Sequence, residues 1–551
     1  MTRLQLPTLL KALRPQKFST GRLFSLALYC GASLFALLVL LVPLYLVIRT
    51  STAWQDALNT LARPATQQVL GNTIYLTVSV TLATGMLSIP LAWLTTRTDL
   101  PGRRLWSVLH SLPLVIPSYI YAFLFISFLS PKGILQQLLE PFGVDRLPSV
   151  FGFSGAFIVL TLISYPYLFL TVQAALKQMD ASLLEAAQTS GANKRQILRY
   201  VLLPYLRPSM LAGGLLVALY CLRDFGAVTL LQFSTFTRVI YNRYLGFQLD
   251  TAATLAAFLV LLTGAILYFE SRVRGNQADA PLELDDYAQS KQFKLGRWRW
   301  PALLFTSVLS FLALIMPVGV LLYWIGRGVW QAWLPTAVIA NQNVVIFDEL
   351  WAPAQNSLLA ALLTAVFAII LALPIAILSV RYKGRFAAFF ERLSYSSYAL
   401  PSIVVALAFV YTGINYVPPL YQTMPMLLAA YMVLFVPLAV SALRSVLTRI
   451  PVELEEVGYS LGGSRLQILR QVTLPLMRPG LVAGGTLVFL TTMKELPATL
   501  LLSPLGVRTL PMLIWANISE AFFVRAAIPT LLLLLLSSIP LAWLSLRESR
   551  V

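Results

Sequence analysis

Charged side chains are scarce in this chain of 551 residues: Asp, Glu, Lys and Arg together make up 11%, against 58% hydrophobic residues. The mean hydropathy of +0.76 agrees with this imbalance. A soluble domain could not hydrate its surface with so few charges, so the composition excludes an ordinary water-soluble fold. It predicts a membrane protein whose solvent is the lipid bilayer.

Side chains that bind metals or form disulfides are also few, with one histidine and two cysteines in the whole chain. Cys30 and Cys221 fall in different apolar runs, and His110 lies in a third. This distribution argues against a disulfide framework and against a Cys or His metal cluster. We therefore assign no metal ligand, and we interpret His110 as a hydrogen-bonded core residue.

A nucleotide-binding signature is the third absence. The pattern G-x-x-x-x-G-K-[ST], whose backbone amides cradle phosphates, does not occur in the sequence. The chain is therefore not expected to hydrolyse ATP itself. We predict no catalytic residue and no cofactor on this chain.

Long apolar runs fill most of the sequence. About 20 apolar residues suffice to cross the hydrocarbon core as a helix, and this criterion predicts an all-α polytopic membrane protein with twelve transmembrane helices. The predicted spans lie near 23–48, 72–96, 105–129, 153–176, 209–231, 252–269, 301–324, 356–380, 395–413, 424–443, 480–502 and 526–546.

The distribution of Lys and Arg predicts the orientation of these spans. With the N-terminus in the cytoplasm, cytoplasmic segments hold 30 of the 41 basic residues and the opposite side holds nine. Basic residues are retained on the cytoplasmic side of bacterial membranes, so both termini are expected there. The net charge of +19 follows this pattern and needs no nucleic-acid partner.

The two halves of the chain repeat each other. Asn72, Pro90, Arg97 and Pro117-Ser118 recur 284 residues later, and Pro166, Gly191, Pro204, Arg207-Pro208 and Gly213-Gly214 recur 271 residues later. The difference reflects an insertion in the first half. Each half then contains six spans, an even number, so the two six-helix repeats are expected to be parallel and related by an axis along the membrane normal.

This repeat defines the expected domain boundaries. We predict an N-terminal tail, first helix and outer loop (1–67), a first transmembrane domain (68–271), a cytoplasmic linker (272–300), a seventh helix with an outer loop (301–351) and a second transmembrane domain (352–546).

One polar segment occurs in both halves, as EAAQTSGANKRQILRYVLLP at 185–204 and EVGYSLGGSRLQILRQVTLP at 456–475. Its composition predicts a helix, a turn at the glycine, and a second amphipathic helix from Lys194 to Val201 that Pro204 stops. A segment that only fixed the topology would not need acid, glycine and proline at the same spacing twice.

These residues resemble the EAA loop of binding-protein-dependent ABC importer permeases. The first copy matches it with Glu185, Ala186, Ala187, Gly191, Val201, Leu203 and Pro204, and the second with Glu456, Gly462, Val472, Leu474 and Pro475. The second copy departs from the pattern at Val457-Gly458, which makes its first helix less certain.

The resemblance implies a function and a set of partners. In that family the loop is a coupling helix that docks in a cleft of the ATP-hydrolysing subunit. It implies polar contacts there for Glu185 and Glu456, turns shaped by Gly191 and Gly462, two copies of a cytoplasmic ABC ATPase, and a periplasmic substrate-binding protein. The chain itself would form the pore in the bacterial inner membrane.

Two charge pairs, Arg223-Asp224 and Lys494-Glu495, fall inside the fifth predicted span of each half. Charges inside a span are costly and are candidates for the transport pathway. Two acids facing each other would favour a cationic substrate, and the alternative is a salt-bridge network that holds the halves together. The tyrosines of PSYIYAFLF (117–125) could offer oxygen ligands, but aromatic packing is the favoured interpretation.

The sequences around these pairs, LRDFGAVTLL and TTMKELPATLLLSPLG, resemble those of the fused ferric-iron permeases. That similarity implies ferric iron as the substrate. Thiamine and polyamine permeases share the same plan, and an ion-coupled secondary transporter would also be a twelve-span repeat protein. The two coupling loops argue against that last class and against a membrane scaffold, because neither needs ATPase docking sites.

Overall fold

The computed structural model describes residues 18–52, 54–193, 196–274, 293–332, 348–382 and 384–548. The expected N-terminal tail, most of the expected linker and most of the outer loop before residue 348 lie outside the described residues, as does Lys194. In the described part, regular structure is helical apart from one isolated bridge between Thr98 and Phe293. The all-α class predicted from the sequence is confirmed.

The helices of the first half begin with a long apolar helix and end before the linker. They are α1 (Phe18–Thr52), α2 (Trp54–Ala62), α3 (Pro64–Arg97), α4 (Arg103–Leu109), α5 (Ser118–Leu129), α6 (Ile134–Leu139), α7 (Phe153–Gln178), α8 (Ala181–Thr189), α9 (Leu203–Arg223), α10 (Gly226–Leu230), α11 (Phe236–Leu245) and α12 (Leu249–Arg274).

The second half repeats this order with a shorter outer loop. Its helices are α13 (Arg299–Ser310), α14 (Met316–Ala332), α15 (Asp348–Arg381), α16 (Arg385–Ser397), α17 (Ser402–Asn415), α18 (Met424–Leu447), α19 (Val452–Ser460), α20 (Arg465–Ile468), α21 (Leu474–Leu476), α22 (Arg478–Met493), α23 (Pro497–Leu502), α24 (Leu510–Ser519) and α25 (Phe523–Glu548). Short π turns at Ile197–Leu202, Phe311–Ile315 and Leu469–Thr473 join neighbouring helices.

Nine of the described helical segments are long and apolar enough to cross a membrane, and eleven are if two bent pairs each count as one span. The bent pairs are α16 with α17, at 108°, and the segment Arg465–Leu476 with α22, at 71°. The twelfth predicted span coincides with α25, which is 26 residues long. Each predicted span therefore has a helical counterpart.

Four predicted spans differ from the helices observed. The span predicted at 105–129 is broken, because Pro117 separates a short 3-10 turn at Leu112–Val115 from α5. The span predicted at 395–413 is broken at the equivalent place, between α16 and α17. The spans predicted to reach 231 and 502 end earlier, at Arg223 and Met493, and each is followed by a short separate helix. The charge pairs therefore do not lie within continuous helices.

Within each half the same three helices form the centre of the packing. Helix α3 packs against α7 and α9, and the equivalent helix α15 packs against α18 and α22. Positions conserved between the halves make equivalent bonds: Phe236 N donates to Thr73 Oγ1 at 3.2 Å, and Leu510 N donates to Ser357 Oγ at 2.7 Å. The repeat read from the sequence is therefore a structural repeat.

The first helix of each half packs across the other half. Helix α1 lies against α15, α16, α17 and α18 of the second half, where the ring of Tyr45 is 5.1 Å from that of Tyr411. Helices α13 and α14 lie against α4, α5 and α25, and the Tyr121 hydroxyl donates to the carbonyl of Leu312 at 2.8 Å. The two repeats have thus exchanged their first helices.

His110 belongs to this packed interface. Its side chain is fully buried, its Nδ1 is 2.9 Å from the hydroxyl of Tyr165, and its Nε2 is 3.4 Å from the hydroxyl of Ser310 in the second half. The interpretation of His110 as a hydrogen-bonded core residue is confirmed. Both cysteines are free, and Cys221 is buried in α9.

The Gly213-Gly214 pair allows α9 to approach α7 closely. A Cβ on Gly213 would lie 2.3 Å from Thr171 Oγ1 and 2.5 Å from Leu168 Cδ1, whereas a Cβ on Gly214 would make only an ordinary contact, 3.5 Å from Thr81 Cγ2. The two neighbouring glycines thus differ in how much space surrounds them.

We predict that Gly213→Ala lowers the stability of the protein by about 1–3 kcal/mol, because the added methyl group overpacks the α7–α9 contact. The matched variant Gly214→Ala should leave stability close to that of the wild type. Thermal unfolding in detergent, followed by size-exclusion chromatography, measures both. Equal stability of the two variants would contradict the close packing assigned to Gly213.

Candidate functional site

The repeated polar segment folds in both halves as a helix that ends in a left-handed glycine. Gly191 has φ +79° and Gly462 has φ +86°. The N–H of Ala192 bonds the carbonyl of Ala187 at 3.1 Å, and Gly463 N bonds Gly458 O at the same distance. These are the bonds of a Schellman motif, in which glycine accepts the left-handed conformation without the cost that a Cβ imposes.

A capping box begins the helix that follows each glycine. In the first copy, Asn193 N donates to Gln196 Oε1 at 2.8 Å and Gln196 N donates to Asn193 Oδ1 at 2.9 Å. In the second copy, Ser464 and Gln467 exchange the same pair of bonds. The glutamine of the repeated Q-I-L-R is therefore needed to satisfy free backbone amides at a helix start.

The proline after each capping box does not stop the helix as the sequence predicted. Pro204 lies at the second position of α9, where its missing N–H costs little, and the π turn at Ile197–Leu202 connects the segment directly to that helix. In the second copy, Pro475 lies in α21 and the chain then bends by 71° into α22. The segment is thus joined to a membrane helix.

The departure from the family pattern at Val457-Gly458 leaves the first helix of the second copy intact. Both helices, Ala181–Thr189 and Val452–Ser460, are nine residues long. A Cβ on Gly458 would lie 3.1 Å from Ile468 Cγ1, so the glycine is matched by the isoleucine that packs above it. The helix that the sequence left less certain is therefore present in the structure.

An acid precedes the first copy of the segment. The hydroxyl of Ser182 and then its backbone N–H bond the carboxylate of Asp180, and these bonds lower the pKa of Asp180 below its ordinary value. Because its pKa is lowered, Asp180 is charged at neutral pH and loses its charge only when the solution is more acidic than the ordinary pKa of aspartate. The corresponding position of the second copy is Pro451.

The second copy is tied to the membrane domain by a charged network centred on Glu455 and Arg381. Glu455 Oε1 lies 3.2 Å from Arg381 Nε and accepts a bond from Thr473 Oγ1 at 3.1 Å. Arg381 also donates to the carbonyl of Ile450 at 3.0 Å. In the first half, Arg97 bonds only carbonyls in the described contacts, those of Leu176 and Met179.

The second copy presents its acid beside the first turns of α1. Glu456 is exposed and borders a pocket of about 400 Å³ that is also lined by Phe24 of α1, Arg381 and Arg465. Ala186 is exposed and Ala187 is half-buried, while the side chain of Glu185 lies outside the described part. Contacts of the two acids with another subunit stay a prediction.

The two charge pairs lie where α9 and α22 end. Asp224 follows the last residue of α9, and its Oδ1 accepts bonds from Ala227 N at 3.0 Å and Val228 N at 3.3 Å. Glu495 lies two residues beyond the end of α22, and its Oε1 accepts a bond from Ala498 N at 3.1 Å. Each acid therefore caps the short helix that follows it in its own half.

The two bases reach in the opposite direction, across the boundary between the halves. Arg223 Nη1 donates to the carbonyl of Tyr398 at 2.6 Å, and Lys494 Nζ donates to the carbonyl of Leu114 at 3.3 Å. Leu114 and Tyr398 occupy equivalent positions of the repeat, 284 residues apart. Each base thus connects its own half to the equivalent loop of the opposite half.

These groups surround a cavity of about 310 Å³ between the halves, lined by residues of both. Tyr167 and Phe435 place it near the midpoints of α7 and α18. The hydroxyl of Ser118 hydrogen-bonds Asp224, and the equivalent Ser402 hydrogen-bonds Glu495. The structure therefore brings both predicted charge pairs together at one polar site.

The expected salt-bridge alternative is replaced by a different arrangement. Among the salt bridges found between described residues, none joins members of the two pairs. Ser118 and Ser402 also line the cavity and were not predicted from the sequence, although the repeated Pro-Ser pair was a usable signal for them. Tyr119, one of the tyrosines considered as oxygen ligands, lines it as well. No group of three or more His, Cys, Asp or Glu side chains that could hold a metal ion occurs in the described residues.

The fold and these sites define a class: a polytopic membrane transport protein built from two fused repeats around a polar path. Residues 85–273 and 365–551 both match the sequence profile of the family described as "Binding-protein-dependent transport system inner membrane component". Because these two regions cover more than half of the chain, the chain belongs to this family of multi-pass inner-membrane permeases.

Three relatives indicate the range of this similarity. The chain is 32% identical to the Fe(3+)-transport system permease protein FbpB 2 of Haemophilus influenzae, over 90% of this chain and 93% of that protein. It is 24% identical to a putative ferric transport system permease protein FbpB 1 of the same organism, over 81% and 72%. The sulfate transport system permease protein CysT of Salmonella typhimurium is 28% identical over 45% of this chain and 90% of that protein.

We predict that Glu455→Gln loosens the second copy of the segment by about 1–3 kcal/mol, because Arg381 loses a charged hydrogen-bond partner. Hydrogen–deuterium exchange of residues 452–460 should become faster. The exposed neighbour Glu453 supplies the control, since Glu453→Gln removes an equal charge outside this network. Exchange that responds equally in both variants would contradict the role assigned to Glu455.

We also predict that Gly191→Val and Gly462→Val each destabilise the folded turn by about 1–2 kcal/mol, because a positive φ is unfavourable for valine. No atom lies within 4 Å of a Cβ at either position, so the effect would come from the backbone alone. Both variants should insert in the membrane normally but retain less ATPase subunit on purification. Gly462→Asn, which tolerates this conformation better, should retain more.

Proposed function

We propose that this chain is the pore subunit of an ATP-driven importer that carries ferric iron across the bacterial inner membrane. The observation that carries the proposal is the similarity of nearly the entire chain, both halves together, to a ferric transport permease of Haemophilus influenzae. The sulfate permease covers only one half. Its similarity therefore reflects the shared repeat more than a shared substrate.

The two repeated segments are the proposed docking sites for the ATPase. Each is an exposed helix with a fixed glycine turn, and each continues into a membrane helix, α9 in the first half and α22 after a bend in the second. Movement of a docked subunit would therefore be passed directly to the helices that end at the charge pairs. Two segments in one chain favour two ATPase copies on the cytoplasmic face.

We extend the proposal to the remaining partners and to the orientation of the chain. The family is defined by its dependence on a binding protein, which would deliver the iron from the periplasm to the face opposite the segments. With the segments in the cytoplasm, both termini lie there too, as the distribution of basic residues predicts. The ATP is hydrolysed on the partner subunits, and this chain supplies the path.

We predict that deletion of the gene for this chain abolishes the high-affinity uptake of radioactive Fe³⁺ supplied as ferric citrate, and that the intact gene restores it. Thiamine and spermidine uptake should be unchanged. Loss of thiamine or spermidine uptake with normal iron uptake would assign a different substrate. Iron uptake that persists without the partner ATPase gene would instead favour an ion-coupled transporter.

A further inference from the structure

The cavity between the halves is lined by a tyrosine whose buried hydroxyl has no hydrogen-bond partner among the described residues. Tyr119, at the start of α5, lines the cavity and is 3% exposed. Among the described side chains, its hydroxyl is one of the few buried groups without a hydrogen bond. It lies within electrostatic range of the Glu495 carboxylate. A buried unpartnered hydroxyl is costly and calls for a ligand that would satisfy it.

The neighbouring tyrosine differs from Tyr119, because its hydroxyl has a hydrogen-bond partner. Tyr121 is also fully buried, but its hydroxyl bonds the carbonyl of Leu312 and it does not line the cavity. In the second half the position equivalent to Tyr119 is Ile403. Simple aromatic packing would be served as well by phenylalanine, so the hydroxyl of Tyr119 is the group that needs an explanation.

The other polar groups of the cavity supply oxygen atoms in a twofold arrangement. Asp224 with Ser118 comes from the first half, and Glu495 with Ser402 comes from the second. Both carboxylates are held in place by backbone N–H groups of their own half. A set made only of carboxylate and hydroxyl oxygens suits a hard cation and does not suit a soft metal.

The two bases in the cavity do not form ion pairs with the acids. Arg223 and Lys494 each donate to a carbonyl of the opposite half, whereas the acids accept backbone N–H groups of their own half. Among the salt bridges between described residues, none includes Asp224 or Glu495. The two carboxylates are therefore not taken up by an ion pair and can face a cation.

We propose that this cavity is a transit site for the translocated cation, with Asp224, Glu495 and Tyr119 as its oxygen ligands. The inference rests on the proposed function, which supplies Fe³⁺ as the cation. The site binds the ion weakly and briefly. Its carboxylate and hydroxyl oxygens replace part of the ion's previous ligand shell, and the binding stays weak because conduction requires an ion to leave as readily as it enters.

The decisive variant is Tyr119→Phe, because it separates a ligand from a structural residue. Removing an unpartnered buried hydroxyl should leave stability unchanged or raise it. The proposal nevertheless expects the maximum rate of ⁵⁵Fe³⁺ uptake to fall by about three- to tenfold per molecule, the worth of one lost hydrogen-bond-strength contact. The apparent half-saturation, set by the binding protein, should not change.

The matched control is Tyr121→Phe, which removes a hydroxyl from the same helix outside the cavity. Its thermal stability should fall, while iron uptake per molecule stays at the wild-type level. Asp224→Asn and Glu495→Gln keep the shape of the acids and should each lower the maximum rate by about 10- to 100-fold, since charged contacts are stronger. All rates are compared at equal amounts of membrane-inserted protein and bound ATPase.

Three outcomes would overturn the inference. Wild-type iron uptake in Tyr119→Phe and in both acid variants would show that the cavity does not hold the ion, and the proposed iron permease would still stand. Loss of uptake in Arg223→Gln and Lys494→Gln alone would indicate an anionic chelate as the transported species. Failure of the wild-type protein to transport iron at all would instead remove the proposed function on which the site depends.

Discussion

The structure depends on satisfying backbone polar groups at helix breaks inside the membrane. No water is present in the hydrocarbon core to pair with a free N–H or carbonyl, so each break needs a side chain or another backbone group. Asp224 and Glu495 supply acceptors where α9 and α22 end, and Arg223 and Lys494 supply donors to loops of the opposite half. The polar cavity is thus assembled from residues that first make broken helices tolerable.

The same requirement explains why the two halves are alike in some places and different in others. Groups that bond the backbone recur, as Asn193 and Ser464 do at the two capping boxes. Other side chains have diverged: Glu455 has a leucine at the equivalent first-half position, and Tyr119 is replaced by Ile403 in the second half. The repeat therefore preserves the scaffold, and the differences identify positions free to acquire separate roles.

Much of the fold followed from the sequence because bilayer thickness and basic-residue counts act over long stretches. The helical class, the repeat and the glycine turns needed no knowledge of tertiary contacts. The helix breaks at Arg223 and Met493 escaped prediction, since an apolar window cannot distinguish one long helix from a helix, a cap and a short helix. The contacts of Arg223 and Lys494 could not be predicted either, because each depends on a loop in the opposite half. Only a three-dimensional arrangement could separate Tyr119 from Tyr121.

The exchanged first helices set the order in which the chain can be completed. Helix α1 leaves the ribosome early and packs against α12 of its own half, but its other main packing surfaces begin at Asp348 and continue through α18. Until that later half is synthesised, α1 must wait in the lipid with those contacts unmade. Fusion of the two repeats into one polypeptide keeps the waiting helix beside its eventual partner, so the single chain secures correct pairing without a search through the membrane.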